Sequence, residues 1–402
     1  MDTHHYKYAV LVGDGMADRP LPQLGGHTPL EAARTPNMDA VAREGAAGLV
    51  ATIPEGLPPG SDVGNLSLFG YDPRQYYQGR APIEAASMGV ALAPGETAFR
   101  CNFVTVSGGR MEDYSAGHLD NAEAAALVAE LQTVLRPPLC RLHLGVDYRH
   151  LMIFSGLNTS DLATTPPHDI TGQPITGFLP SGTSGAQVRA VMEKALPALA
   201  QSKVNRARAA AGKPAVTHIW LWGQGNAVTL PSLSQKHGLS GTVISAVNLV
   251  KGLGVLAGLE AAQVKGATGY LDTNYAGKMA AAAGALASKD FVYVHVEAPD
   301  ETSHEGSVEK KVKAIEDFDC RIVGEFLKLR DRIPNLRILV VSDHATPISL
   351  RTHSAEPVPF AMSGPGIKTD AADAYTEKAV EGRPPLSGPA LLEKFLSSDH
   401  NR

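Results

Sequence analysis

ILVVSDHATPISLRTH, residues 338 to 353, holds the step from which the fold class follows. Ile338, Leu339, Val340 and Val341 form the kind of apolar run that fills a buried parallel strand, and the run stops at Ser342, Asp343 and His344. A carboxylate and an imidazole therefore stand at the carboxyl end of a strand, the edge where open α/β sheets bind ligands. His353 follows on the next loop. The plain alternative is a strand-end turn with one exposed histidine, because Asp is favoured in turns. Further ligands from other segments would decide between the two.

Working outward, the same pattern recurs. Lys7 to Val12, KYAVLV, runs into Gly13, Asp14 and Gly15, which also fits an ordinary GDG turn. Phe291 to Val296, FVYVHV, runs into EAPDETSHEG, where Asp300 and His304 have the spacing that points two side chains the same way on a helical turn. Pro54 to Tyr71, PEGLPPGSDVGNLSLFGY, places Ser61 where a helix starts. Its hydroxyl would face amides that stabilise a phosphoryl group or an alkoxide, or it would simply be the N-cap, which this stretch taken alone favours. The constellation of Asp14, Asp300, His304, Asp343, His344 and His353, with Ser61 nearby, has a donor set suited to a pair of divalent ions such as Mn²⁺, Zn²⁺ or Mg²⁺.

The 402 residues exceed the usual size of a single core, so two domains are expected. Strand and helix patterns alternate on both sides of a middle block. This predicts an α/β fold: one sheet flanked by helices, built from residues 1–93 and 216–402, with a smaller α+β domain inserted over 94–215. Within the insertion, Ala163 to Gly182 is dense in Pro, Gly and Thr and too long for an idle connection. The formal net charge of −5 gives no reason to expect nucleic acid or an anionic membrane as partner. Cys101, Cys140 and Cys320 have no CxxC spacing, which fits reduced thiols, and no charge-free apolar stretch is long enough to span a membrane. A cytoplasmic protein, monomeric or a small homo-oligomer, is expected.

Longer motifs carry a family resemblance. LVGDGMADRP from Leu11, TPNMD from Thr35, PPGSDVGNLSLFGYDP from Pro58, DYSAGH from Asp113, YRH from Tyr148, HDITGQPI from His168, WLWGQG from Trp220, VNLVKGLG from Val247, HVEAPDETSHEG from His295 and SDHATP from Ser342 span nearly the whole chain. It resembles the cofactor-independent phosphoglycerate mutases of the archaeal type, which also occur in bacteria, within the alkaline phosphatase superfamily. The resemblance implies an alkaline-phosphatase-like sheet and interconversion of 3-phosphoglycerate and 2-phosphoglycerate through a phosphoserine, with no need for 2,3-bisphosphoglycerate. It implies Ser61 as nucleophile, Asp14, Ser61, Asp343 and His344 as ligands of one metal, and Asp300, His304 and His353 as ligands of the other. Mn²⁺ is the first expectation, with Zn²⁺, Mg²⁺ or Co²⁺ as alternatives.

Such a reaction needs an inserted domain that grips a small phosphorylated anion and keeps water out. Arg149 is the candidate carboxylate partner, His168 or Asp169 the proton carrier, and Arg100, His118 and His150 further contacts. Arg149 could equally be a strand-end surface charge. Lys278 could face the phosphate or be a solvated helix lysine. The nearest rival is a metal-dependent phosphatase or another phosphotransferase of the same superfamily. A non-catalytic relative would lack a ligand or the nucleophile, and none is missing. A dinucleotide enzyme is disfavoured, because no strand leads into a GxGxxG turn.

Overall fold

The computed structural model describes residues 6–370 and 372–397. In chain order its strands are β1 (Lys7–Gly13), β2 (Ala46–Ala51), β3 (Glu96–Ser107), β4 (Arg110–Asp113), β5 (Arg141–Val146), β6 (Arg149–Ser155), β7 (His218–Asn226), β8 (Gly241–Ile244), β9 (Glu260–Ala261), β10 (Phe291–Val296), β11 (Leu336–Val341), β12 (Val358–Ser363) and β13 (Leu386–Ser387). They form two sheets in two compact units, Met1–Tyr77 with Thr229–Arg402, and Gln78–Val228.

The larger unit holds an eight-stranded sheet in the order β13-β2-β12-β11-β1-β10-β8-β9. β11, β1, β10 and β8 run parallel, and β12 is antiparallel to both β11 and β2. The parallel core follows from composition: Ala9, Val10, Leu11 and Val12 are wholly buried, as a strand covered by helices on both faces must be. Val292, Val294 and Val296 of β10 pack into the same apolar cluster as Ala314, Ile315, Phe318, Ile322 and Phe326. These last residues belong to the helix Val308–Phe318 and its continuation, whose apolar stripe thereby faces the core. Because Val12 pairs with Val341 and Gly13 with Val296, the ends of β1, β10 and β11 lie side by side. Three loops thereby open at one edge.

The smaller unit is an antiparallel sheet in which β3 pairs with β4, β6 and β7, backed by the helices Asn121–Gln132 and Gly185–Gln201. Phe99, Cys101, Phe103 and Trp220 lie in its core. The insertion expected over 94–215 is corrected at both borders. Ala81 and Ala85 of the helix Arg80–Ser87 pack against Ala98, Leu151 and Ile153, and β7 continues far enough for Asn226 to pair with Thr97. Burial of those alanines, not the composition change near Pro94, sets the first border.

Lys311 ties together two of the loops at the open edge. It is wholly buried, and its Nζ donates to Asp18 Oδ2 at 2.8 Å, Thr346 O at 3.0 Å and Ala17 O at 3.3 Å. Lys311→Met would leave the Asp18 carboxylate buried without its cation, which costs about 3–5 kcal/mol. Urea unfolding should show a loss of that order, and a change below about 1 kcal/mol would contradict it.

Candidate metal centre and phosphoryl-transfer site

Asp14 follows β1, and its backbone N–H bonds to Val296 O across the sheet at 3.0 Å. Asp343 follows β11; its Oδ1 accepts from Gly15 N at 3.1 Å and His344 N at 3.0 Å. Ser342 accepts from Met16 N at 3.0 Å and donates to His344 O at 2.7 Å, which pins the turn. The helix Ala298–His304 carries Asp300 and His304, with His304 Nε2 3.1 Å from Asp300 Oδ2. His353 Nε2 reaches to 3.6 Å of Asp300 Oδ1 and 3.1 Å of His304 Nε2.

Ser61 opens the helix Ser61–Leu68 with its Oγ 3.2 Å from His344 Nε2. It is not the N-cap: Gly60 holds that position, and no side chain caps this helix. The reading of Ser61 as a cap is therefore corrected, and its hydroxyl is available for chemistry.

Thr346 fixes the tautomer of His344. A hydroxyl has one proton, and the 2.5 Å bond to Asp300 Oδ1 takes it, so His344 Nδ1 must be the donor across 3.1 Å to Thr346 Oγ1. The lone pair of His344 Nε2 then faces Ser61 Oγ and Asp14 Oδ1, the latter at 3.3 Å. His304 is set the same way, its Nδ1 donating to Arg351 O at 2.9 Å.

The residues fit divalent ions. Atoms bound about 2.1 Å from a shared ion stand about 3.4 Å apart, and the separations from His344 Nε2 to Ser61 Oγ and Asp14 Oδ1, 3.2 and 3.3 Å, come close to that spacing. Asp14 Oδ1 is buried and has no hydrogen-bond partner among the described residues. Ligand-type atoms of Asp300, His304 and His353 lie within 4.8 Å of one another, as do those of Asp14, Asp300 and His344. Without a cation these carboxylates repel: burial, then Asp343, Asp300 and Glu297, push the Asp14 carboxyl well above its usual range. Burial would raise Asp300 too, but hydrogen bonds from His304 and His353 hold it well below.

The hydrogen bond to Asp300 raises His304 from 6.5 to about 9. In metal-free protein that ring keeps its proton until the pH passes about 9, and an incoming cation must displace it. Mn²⁺ affinity should therefore rise from pH 6.5 to 9, with proton release seen by titration calorimetry in buffers of different ionisation enthalpy. A flat profile over that range would contradict it.

Sequence reasoning misses Asn65, Thr346 and His295. Asn65 Nδ2 donates to Asp343 Oδ2 at 2.6 Å and Ser61 O at 2.8 Å, and Tyr293 Oη donates to Asn65 Oδ1 at 2.6 Å. The four-residue spacing of Ser61 and Asn65 is a usable signal. Lys278 does not face an open phosphate site: it is wholly buried, its Nζ donating to His295 O at 2.8 Å and lying 3.5 Å from Glu297 Oε2.

In the smaller unit, Arg100 and Arg149 lie on paired strands, Arg149 opposite Asn102. The Arg100 guanidinium sits 4.1 Å over the Trp222 ring, with its Nε 3.1 Å from Glu84 Oε2. His168 packs edge-on against Trp222 at 5.4 Å, with Asp169 Oδ1 3.5 Å from its Nε2. Burial, opposed by Asp169 and assisted by Arg100 and Arg80, lowers the His168 pKa. Arg149 is exposed, 3.8 Å from Asp147. His150 is corrected: strand alternation turns it away from Arg149 into the core, where its ring lies 4.1 Å from Phe103 and burial lowers its pKa to about 3. His118 lies on the turn after β4 at φ 51°, and among the described residues its ring has no hydrogen-bond partner.

A family model described as 2,3-bisphosphoglycerate-independent phosphoglycerate mutase matches residues 42–205. Proteins of that name from Methanothrix thermoacetophila and Methanosarcina acetivorans are each 52% identical, covering 94% and 91% of this chain and 95% and 92% of their own. The chain belongs to this mutase family. The probable mutase of Geobacter sulfurreducens is 49% identical over 97% of this chain and 99% of its own. Among solved structures, the cofactor-independent phosphoglycerate mutase of Thermoplasma acidophilum matches with a TM-score of 0.69 at 27% identity, covering 97% of this chain and 99% of that one. A Pyrococcus horikoshii protein matches at 0.82, also 27% identical, covering 99% of each chain. Among the described residues, no helix of this mutase-family chain is long and apolar enough to cross a membrane.

Proposed function

We propose that the chain interconverts 3-phosphoglycerate and 2-phosphoglycerate in the cytoplasm, without 2,3-bisphosphoglycerate, through a phosphoserine at Ser61. The observation that carries this reading is the Ser61 hydroxyl at a helix N-terminus, 3.2 Å from an imidazole lone pair and beside buried carboxylates, in a chain of the mutase family. Ser61 enters as the alkoxide, its proton released to solvent, and its Oγ attacks the substrate phosphorus in line; the P–Oγ bond forms as the bond from phosphorus to the glycerate oxygen breaks. His168, with Asp169 beside it, gives that oxygen its proton and later takes the proton of the other hydroxyl. The glycerate reorients, and its second hydroxyl attacks phosphoserine, restoring free Ser61.

Asp14, Asp343, His344 and Ser61 would hold one divalent ion, and Asp300, His304 and His353 a second, supplying positive charge for the phosphoryl oxygens. Arg149 and Arg100 bind the glycerate carboxylate, for which a guanidinium fork is suited. Water must be excluded, or phosphoserine is hydrolysed and the protein becomes a phosphatase.

The test uses metal-stripped protein assayed with Mn²⁺ restored, 2,3-bisphosphoglycerate absent and free phosphate followed in the same tube. Mn²⁺-dependent isomerisation with little phosphate release is expected. Phosphate release without isomerisation would replace the mutase reading by a phosphatase, and neither product would overturn both.

A further inference from the structure

β10 reads FVYVHV, and its strand period puts Val292, Val294 and Val296 on one face and Tyr293 and His295 on the other. Tyr293 is spent on Asn65 and so on the support of Asp343. His295, one pleat further toward the open edge, is wholly buried beside the carboxylates. Its Nε2 lies 3.4 Å from Asp14 Oδ2 and 3.7 Å from Asp343 Oδ2, and has no hydrogen-bond partner among the described residues.

We propose that His295 is itself a metal ligand, completing through Nε2 the coordination of the divalent ion held by Asp14 and Asp343. The inference rests on the metal centre of the proposed function and adds a residue to it. A protonated His295 acting as a buried ion-pair partner is the competing explanation, and the distances separate the two. A charge-assisted N–H···O contact draws in to about 2.7–2.9 Å, whereas two ligands of one ion stand about 3.4 Å apart. His295 shows the second spacing to Asp14, and His344 shows it to the other oxygen of the same carboxylate, at 3.3 Å. Ligand-type atoms of Asp14, His295 and Asp343 all fall within 4.8 Å of one another.

The rear of the ring is built as a ligating histidine requires. Nδ1 faces Ser245 Oγ at 3.5 Å and Glu297 Oε1 at 3.9 Å, so a carboxylate stands behind the imidazole and favours the tautomer whose Nε2 lone pair points at the centre. Lys278 completes the support, its Nζ 3.5 Å from Glu297 and bonded at 2.8 Å to the carbonyl of His295. Charge agrees. With His295 neutral, the carboxylates of Asp14, Asp343 and Glu297 against Lys278 leave two negative charges, which one divalent ion neutralises. This gives buried Lys278 a positioning role in place of the substrate contact expected from sequence.

The experiment loads the full-length, metal-stripped protein with Co²⁺ and records proton NMR spectra of the wild type and His295→Gln. Imidazole N–H protons of ligating histidines are shifted far outside the ordinary range by the paramagnetic ion. The expected result is one such resonance fewer in His295→Gln, with the others retained, and Co²⁺ affinity at one site lowered by about 100-fold or more in calorimetry. An unchanged set of shifted resonances and unchanged affinity would overturn the assignment. If circular dichroism shows that His295→Gln does not fold, Glu297→Gln keeps the ring. It should move that one resonance and weaken one site by about 10- to 100-fold, and no change in either would likewise overturn it. Failure of wild type to bind Co²⁺ at all would remove the metal centre and this assignment together. Two bound ions and normal isomerisation, with the His295→Gln resonances unchanged, would remove His295 alone.

Discussion

Ser61→Ala is expected to lower the interconversion of 3-phosphoglycerate and 2-phosphoglycerate by about 10⁵-fold or more while leaving the fold intact. The loss is large because no neighbour can take over. The imidazole facing Ser61 Oγ belongs to His344, whose Nε2 also faces Asp14, and removing the hydroxyl leaves the phosphoryl group without an acceptor that can return it. The fold should tolerate the change. Gly60, not Ser61, occupies the N-cap position, and Ala suits a helical residue, so unfolding free energy should move by no more than about 0.5 kcal/mol. Metal binding should weaken only modestly, because Asp14, Asp343 and His344 remain. Stopped-time assays, denaturant unfolding and calorimetry on the same preparation separate these effects. Retained turnover would sink the nucleophile assignment. Lost turnover with a collapsed metal affinity would show that the hydroxyl matters chiefly as a ligand.

The strand ends are legible in the sequence because buried parallel strands read as continuous apolar runs, and a charged residue at the end of such a run is conspicuous. Asp14 and Asp343 are found that way. β12, VPFAMS, is not: Pro359 sits inside it, and a proline argues against an interior strand even though this one lies between β11 and β2. Asp300 and His304 are legible from their helical spacing. His295 does not stand out, because an imidazole inside a run of valines and aromatics looks like any core histidine until its neighbours are known. The converse error befalls His150. Adjacent residues of a strand face opposite ways, so Arg149 and His150 cannot both line one surface, yet that alternation appears only once the strand is placed. Lys278 fails for a related reason. An alanine-rich helix suggests a solvated lysine, and only burial beside Glu297 reveals its partner.

Gly64→Ala should cost about 100-fold in kcat and about 1–3 kcal/mol in stability, against what helix propensity alone would give. Gly64 lies inside the helix Ser61–Leu68, where alanine is intrinsically better by about 1 kcal/mol. A Cβ there would stand 2.3 Å from the backbone O of Asp343 and 3.0 Å from its carbonyl carbon. Neither atom can yield, since Asp343 is fixed at the end of β11 by Gly15, His344 and Asn65. The helix must move instead, carrying Ser61 Oγ away from His344 Nε2 and Asn65 away from the carboxylate it orients. A shift of about 1 Å is enough to cost two orders of magnitude in rate. Gly284 supplies the control: it sits in the helix Tyr275–Leu286, and a Cβ there would meet nothing within 4 Å, so Gly284→Ala should stabilise by up to about 1 kcal/mol with kcat unchanged. If Gly64→Ala instead behaved like Gly284→Ala, gaining stability and keeping full turnover, the close approach of the Ser61 helix to Asp343 would not be what positions the nucleophile.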